Sequence, residues 1–142
     1  LHGRFDAELA TLTEHYEVIS SIHPSFGGNV TMQALVDADV VISDAGSLVY
    51  EAWALGKPVV FPDWLVKEGV FKHFPGSFEE QIYREKIGYH VETPEQLGPM
   101  VERALMSGIT EREKKFIDGI FPPELRGRSG EVTANFLRRF EK

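Results

Sequence analysis

Short apolar runs alternate along this chain with stretches in which apolar residues recur every three or four positions, a pattern that predicts a sheet wrapped by helices. Phe5, Leu9 and Leu12 fall at helical spacing with Asp6 and Glu8 in the first turn, and predict a helix from about Arg4 to His15. Tyr16 to Ile22 reads as a strand, and Thr31 to Asp37 as a short helix with Met32 and Leu35 or Val36 inward. Val40, Val41 and Ile42 suit a strand buried on both faces, and Ser43-Asp44-Ala45-Gly46-Ser47 is small and polar enough for a turn. From Leu48 the period becomes helical through Glu51, Ala52 and Leu55. Gly56, Lys57 and Pro58 stop that helix, because glycine accepts a left-handed cap and proline cannot continue it; Val59, Val60 and Phe61 then form the next strand. A strand, crossover helix and strand this close in sequence should form a right-handed parallel unit. Its first turn would then lie on the carboxyl edge of the sheet, where such sheets bind ligands.

Beyond Asp63 the periodicity weakens. Trp64 to Phe78 mixes aromatic residues with Lys67, Lys72 and His73, breaks at Pro75-Gly76, and is expected as a long loop. Such a loop closes over a ligand, faces another part of the protein, or packs as an aromatic cluster. Phe78 to Lys86 then reads as a helix and Gly88 to Val91 as a strand. Thr93-Pro94 starts a helix with the stripe Leu97, Met100, Val101, Ala104 and Leu105, and Thr110 to Asp118 is another helix. Ser129 is the expected N-cap of a last amphipathic helix carrying Val132, Phe136, Leu137 and Phe140.

Composition narrows the function classes. A chain of 142 residues with 42% hydrophobic content is enough for one core, so residues 1–142 are read as a single domain. There is no cysteine, which excludes disulfides, zinc-thiolate sites and thiol catalysis and is consistent with a reducing compartment such as the cytoplasm. No apolar run approaches the length of a membrane span. The net charge of -7 argues against nucleic-acid binding but leaves room for a nucleotide, whose phosphates need only local N–H groups. The chain starts at Leu1 without an initiator methionine and is expected to be a piece of a longer protein.

The candidate chemistry collects at the central turn. Gly46 lets a ligand approach the backbone, Ser47 offers a hydroxyl, and the N–H groups of the helix start carry the positive end of its dipole, so a phosphate fits there. Glu51 follows one helical turn later, where its carboxylate can accept hydrogen bonds from a ribose. On spacing alone, a Ser47 that merely caps the helix with a solvated Glu51 is the commoner arrangement. His23, fixed in extended backbone by Pro24, is a candidate general acid or base, or a donor to a diphosphate. Arg126 or Arg128, flanked by glycines, can neutralise an anionic substrate, and no cofactor or metal is expected from the spacing of ligand residues.

Three motifs carry a family resemblance: Asp39-Val-Val-Ile-Ser-Asp44 with its turn through Ser47, Gly56-Lys-Pro-Val-Val-Phe61 with Asp63, and His23-Pro24 after a strand. The chain, from about Phe5 to Phe140, resembles the carboxyl-terminal, donor-binding half of GT-B transferases. It looks most like the CDP-glycerol glycerophosphotransferases that build teichoic acid polymers. The resemblance implies a Rossmann-like α/β domain, a parallel sheet with helices on both faces, lacking the N-terminal half that holds the acceptor. It implies a nucleotide-diphosphate donor, CDP-glycerol or a nucleotide sugar, held at Asp44, Gly46, Ser47 and Glu51, with Arg128 and Ser129 matching the segment before the last helix. His23 is the implied catalytic residue, and the acceptor is a polymer or lipid-linked hydroxyl reached through the missing half, which places the intact protein peripherally at the cytoplasmic membrane. This family usually carries Tyr-Ser-Ser where this chain has Ala45-Gly46-Ser47, a glycine of the kind seen in UDP-N-acetylglucosamine 2-epimerases. A UDP-sugar glycosyltransferase or 2-epimerase-like domain, and a nucleotide-binding module without catalysis, are the alternatives.

Overall fold

The computed structural model of the chain describes residues 7, 10–15, 29–44 and 46–140. In order these form α1 (Asn29–Asp37), β1 (Val41–Ile42), α2 (Ser47–Ala54), β2 (Val59–Pro62), α3 (Asp63–His73), α4 (Phe78–Glu85) and β3 (Tyr89–Val91). A 3-10 turn at Pro94–Gln96 leads into α5 (Leu97–Ser107), then come α6 (Glu111–Ile120), a second 3-10 turn at Pro123–Leu125 and α7 (Ser129–Arg138). The strands are parallel in the order β1-β2-β3, with Val41 opposite Val59, Ile42 opposite Val60, and Phe61 opposite His90. Because they run the same way, their exits at Ser43, Asp63 and Glu92 lie on one edge.

Alternation along each strand sends side chains to two apolar layers. On one face Val59 and Phe61 pack with Trp53 of α2, Ile82 and Tyr83 of α4 and Ile117 of α6. On the other Val60, Tyr89 and Val91 pack with Leu97, Val101 and Ala104 of α5 and with Leu12. The fold is therefore mixed α/β, with a small parallel sheet flanked by helices, as the Rossmann-like expectation requires. Residues 7 and 10–13 are helical, within the helix expected there, and the strand expected at Tyr16 to Ile22 lies outside the described residues.

Caps account for several boundaries. Gly56 takes φ +75 at the end of α2, a left-handed conformation that side chains disfavour, and turns the chain into Lys57-Pro58. The Ser77 hydroxyl accepts the Glu80 N–H at 3.1 Å to start α4. Thr110 and Glu113 cap α6 reciprocally: the Thr110 hydroxyl accepts the Glu113 N–H at 3.2 Å and Glu113 Oε2 accepts the Thr110 N–H at 2.7 Å. The other oxygen of Glu113, a fully buried residue, accepts from Trp53 Nε1 at 2.8 Å and from the Val59 N–H at 3.4 Å, so one carboxylate ties α6 to α2 and β2.

Three expectations need correction. The segment after Asp63 is a helix, α3, rather than a long loop; its irregular periodicity arises because only Asp63 and Val70 of its eleven residues are buried. In α1 Leu35 is buried in the core, while Met32 and Val36 are 48% and 47% exposed. The N-cap of α7 is Arg128, and Ser129 is its first helical residue, with its hydroxyl donating to the Leu125 carbonyl at 3.1 Å.

Candidate functional site

The turn after β1 is built by hydrogen bonding before any ligand enters. The Ser43 N–H donates to the Val60 carbonyl at 3.2 Å, extending the ladder, and the Gly46 N–H donates to Asp44 Oδ1 at 3.2 Å. Gly46 is the N-cap of α2 with extended backbone, and no side chain caps the helix. A Cβ on Gly46 would lie 3.1 Å from Asp44 Oδ1, so this close Asx-type turn favours glycine. Val49 N–H donates back to the Gly46 carbonyl at 3.2 Å, whereas the N–H groups of Ser47 and Leu48 precede the first acceptor the helix can offer. Ser47 is exposed at the helix start, so its hydroxyl is directed to neither cap nor core.

Ser47 and the exposed Glu51 line an open groove of about 620 Å³ that continues along α2 to Leu55. Its opposite wall comes from Phe78 and Glu79 at the start of α4 and from Phe121 and Arg126 after α6. The Arg126 guanidinium is fixed by Asp118 at 2.5 Å and by the Phe121 carbonyl at 3.0 Å. Glu79 accepts the Tyr50 hydroxyl proton at 2.7 Å; burial alone would raise the Glu79 carboxyl, and this hydrogen bond with those at the helix start holds it below the usual range. The fold thus brings Asp44, Gly46, Ser47 and Glu51 together, with Arg126 across the groove. Arg128 and Ser129 do not line it: Arg128 makes two 3.1 Å bonds to Glu131, and Ser129 is held by Leu125. His23 lies outside the described residues.

A second polar cluster at the same edge escaped the sequence reading. Asp63 opens α3 directly from the end of β2, and its wholly buried carboxylate accepts from His90 Nδ1 at 2.7 Å and from Lys86 Nζ at 2.6 Å. Burial alone would raise the Asp63 carboxyl, but those two hydrogen bonds outweigh it and hold the group below the usual carboxylate range. His90 stacks on Phe61, with ring centres 4.7 Å apart, and its Nε2 meets the Ile87 carbonyl at 3.0 Å. Both ring nitrogens therefore face acceptors. Lys86 sits in left-handed backbone (φ +51) at the end of α4 and also pairs with Glu92, which Lys67 approaches at 3.4 Å. Beside this cluster Trp64, Lys67 and Phe71 bound a second open cavity of about 620 Å³.

Tyr83 packs edge-on against Phe61 and His90, and its buried hydroxyl has no hydrogen-bond partner among the described residues. Burial, then the charges of Asp63 and Asp44, push its phenol upward, so both carboxylates act on one hydroxyl under the carboxyl edge. The Thr110-x-x-Glu113 spacing is a capping signal that would have singled out Glu113, though not its bonds to Trp53 and Val59; nothing in the sequence paired Asp63 with His90, which only the register of β2 with β3 brings together.

Comparison of the chain with protein-family models, curated proteins and solved structures finds no match. No helix among the described residues is long and apolar enough to cross a membrane.

Proposed function

We propose that this chain is the donor-binding domain of a transferase that moves glycerol phosphate from CDP-glycerol to an acceptor hydroxyl of a teichoic-acid-like polymer. One observation carries the reading: Ser47 and the outward N–H groups of α2 stand at the carboxyl edge of a parallel sheet, with the Glu51 carboxylate one turn along the same groove. The donor diphosphate lies on the Ser47 and Leu48 N–H groups and the Ser47 hydroxyl, Glu51 accepts from the ribose hydroxyls, and Arg126 adds positive charge from across the groove. Asp44, already an acceptor in this turn, is placed to take a proton from a donor hydroxyl rather than to meet a phosphate.

In the transfer, the acceptor oxygen attacks the phosphorus that bears glycerol. The bond from that phosphorus to the bridging oxygen breaks, and cytidine monophosphate leaves with the electron pair. Fixed N–H donors at the departing phosphate stabilise the charge that develops there without a covalent intermediate. His23 would assist the proton transfer, and the acceptor would be supplied by the rest of the intact protein. Gly46 supports a second reading, a nucleotide-sugar donor, since glycine replaces a hydroxyl of the glycerophosphotransferase turn.

Calorimetric titration of the chain with CDP-glycerol, CDP, UDP and UDP-N-acetylglucosamine tests both. Cytidine-selective binding that is lost in the Ser47→Ala, Glu51→Ala double variant is the expected result. A uridine preference moves the assignment to nucleotide sugars, and binding unchanged in the variant refutes the site.

A further inference from the structure

Part of the groove along α2 is used by neither the diphosphate nor the ribose. With the phosphates at the α2 start and the ribose at Glu51, the wall left for the base includes Tyr50, Phe78, Glu79 and Phe121. Phe78 and Phe121 are 54% and 50% exposed, and the Phe78 ring is steadied by an edge-on contact to Phe116 with ring centres 6.0 Å apart. Half-exposed rings on a groove wall offer faces on which any base can stack, so stacking gives affinity without choosing the base. The choice falls to the polar groups beside them.

Those groups, Tyr50 and Glu79, present acceptors. The Tyr50 hydroxyl donates to Glu79 at 2.7 Å, so its one proton is engaged and its oxygen turns only lone pairs to a ligand. Burial, then the bond to Glu79 and its charge, push the Tyr50 phenol upward, and it keeps that proton at neutral pH. Burial alone would raise the Glu79 carboxyl, but the bonds from Tyr50, its own N–H and Ser77 hold it below the usual range, so it is ionised. A carboxylate has about four acceptor positions, and those three donors leave room for another. The cation on the same groove, Arg126, is already engaged by Asp118 and the Phe121 carbonyl.

Two neighbouring acceptors match a primary amine, which has two hydrogens to give. Cytosine carries such an amine at N4, whereas uracil carries a carbonyl oxygen there, an acceptor that would face two further acceptors. We infer, building on the donor site proposed above, that Tyr50 and Glu79 select the donor's base by accepting from its exocyclic amine, so that the groove takes cytosine and rejects uracil. This selectivity is the property that the sequence motifs leave open.

Calorimetric titration of the parent chain should show CDP bound at least about 10-fold more tightly than UDP. In Glu79→Gln the side-chain oxygen still accepts from Tyr50, while the amide N–H2 can donate to the uracil carbonyl. CDP should then weaken by about 10-fold, UDP should hold or tighten, and the ratio should fall to within about 3-fold. Tyr50→Phe keeps the ring and deletes one acceptor, and should weaken CDP by about 3-fold or more with UDP unchanged. Retained UDP binding reports an intact groove in both variants, whereas a pair that only staples α2 to α4 would move both nucleotides alike. Equal parental affinity for the two, a parental preference for UDP, or a Glu79→Gln chain that keeps the parental ratio overturns the inference and leaves a nucleotide site standing. A parent that binds neither nucleotide overturns the donor site and the inference with it.

Discussion

Replacing Asp63 with asparagine removes a buried charge on which two elements converge, and the structure sets the size of the effect. Asparagine keeps the volume but presents one acceptor oxygen where the carboxylate had two, and its amide nitrogen must face either His90 or Lys86, both donors. A hydrogen bond to a charged group contributes about 1.5–3 kcal/mol, and leaving a buried partner unmatched costs more than removing the pair. The Lys86 side chain is 42% exposed and can return to water, so its share is discounted; the His90 side chain, 4% exposed, cannot. The expected loss is about 2–4 kcal/mol at neutral pH, most of it from His90. With a urea dependence of about 1.5–2 kcal/mol per M for a chain this size, the unfolding midpoint should fall by about 1–2.7 M.

The same experiment has a pH signature. The Asp63 carboxyl lies lower in the folded chain than in the unfolded one, so its stabilisation is complete above the unfolded value of about 4. It declines as pH drops below that value and is gone once pH passes the folded one. The parent and the Asp63→Asn variant should therefore converge on acidification. A midpoint shift under about 0.3 M at pH 7, or a difference that stays constant down to acid pH, would refute this account of the cluster.

Three further substitutions probe other joints of the fold. Glu113→Ala strips the acceptor from Trp53 Nε1 and from the Val59 and Thr110 N–H groups, and should lower the melting temperature by about 10 °C; a fall under about 3 °C would contradict its tying role. Gly88→Ala sets a Cβ 2.7 Å from Phe61 Cε2 at φ +93, and calorimetry should show a loss of at least about 2 kcal/mol, against no loss if β3 can shift. Tyr83→Phe removes a buried hydroxyl that no group among the described residues satisfies, so urea unfolding should show equal or greater stability, and a loss above about 1 kcal/mol would mean that the hydroxyl has a partner.

Where a local rule and the global packing agreed, the elements could be read directly. Gly56 before Lys57-Pro58, Ser77 before Phe78 and Thr110 with Glu113 each mark a boundary through backbone chemistry that acts within four residues. Val59 to Phe61 is recognisable because a strand buried on both faces has no reason to alternate. α3 was hidden because its anchor is electrostatic: Asp63 holds its first turn through His90 and Lys86, and Val70 is its only buried apolar residue. His90 lies 27 residues from Asp63, and no periodicity encodes a partner across parallel strands. At the candidate site, spacing placed Ser47 and Glu51 on one groove, but which of the two clustered arginines faced it depended on a 3-10 turn at Pro123–Leu125; that turn directs Arg126 inward and leaves Arg128 with Glu131.

The central claim is that the α2 N-terminus holds the diphosphate of a nucleotide donor. Amide spectra of isotope-labelled chain titrated with CDP-glycerol test it most directly, because each N–H reports for itself. The account predicts saturable shifts centred on Gly46, Ser47 and Leu48, extending to Glu51 and absent in the Ser47→Ala, Glu51→Ala variant. Shifts confined to the Trp64, Lys67 and Phe71 cavity, or no shifts at saturating CDP-glycerol, would contradict it.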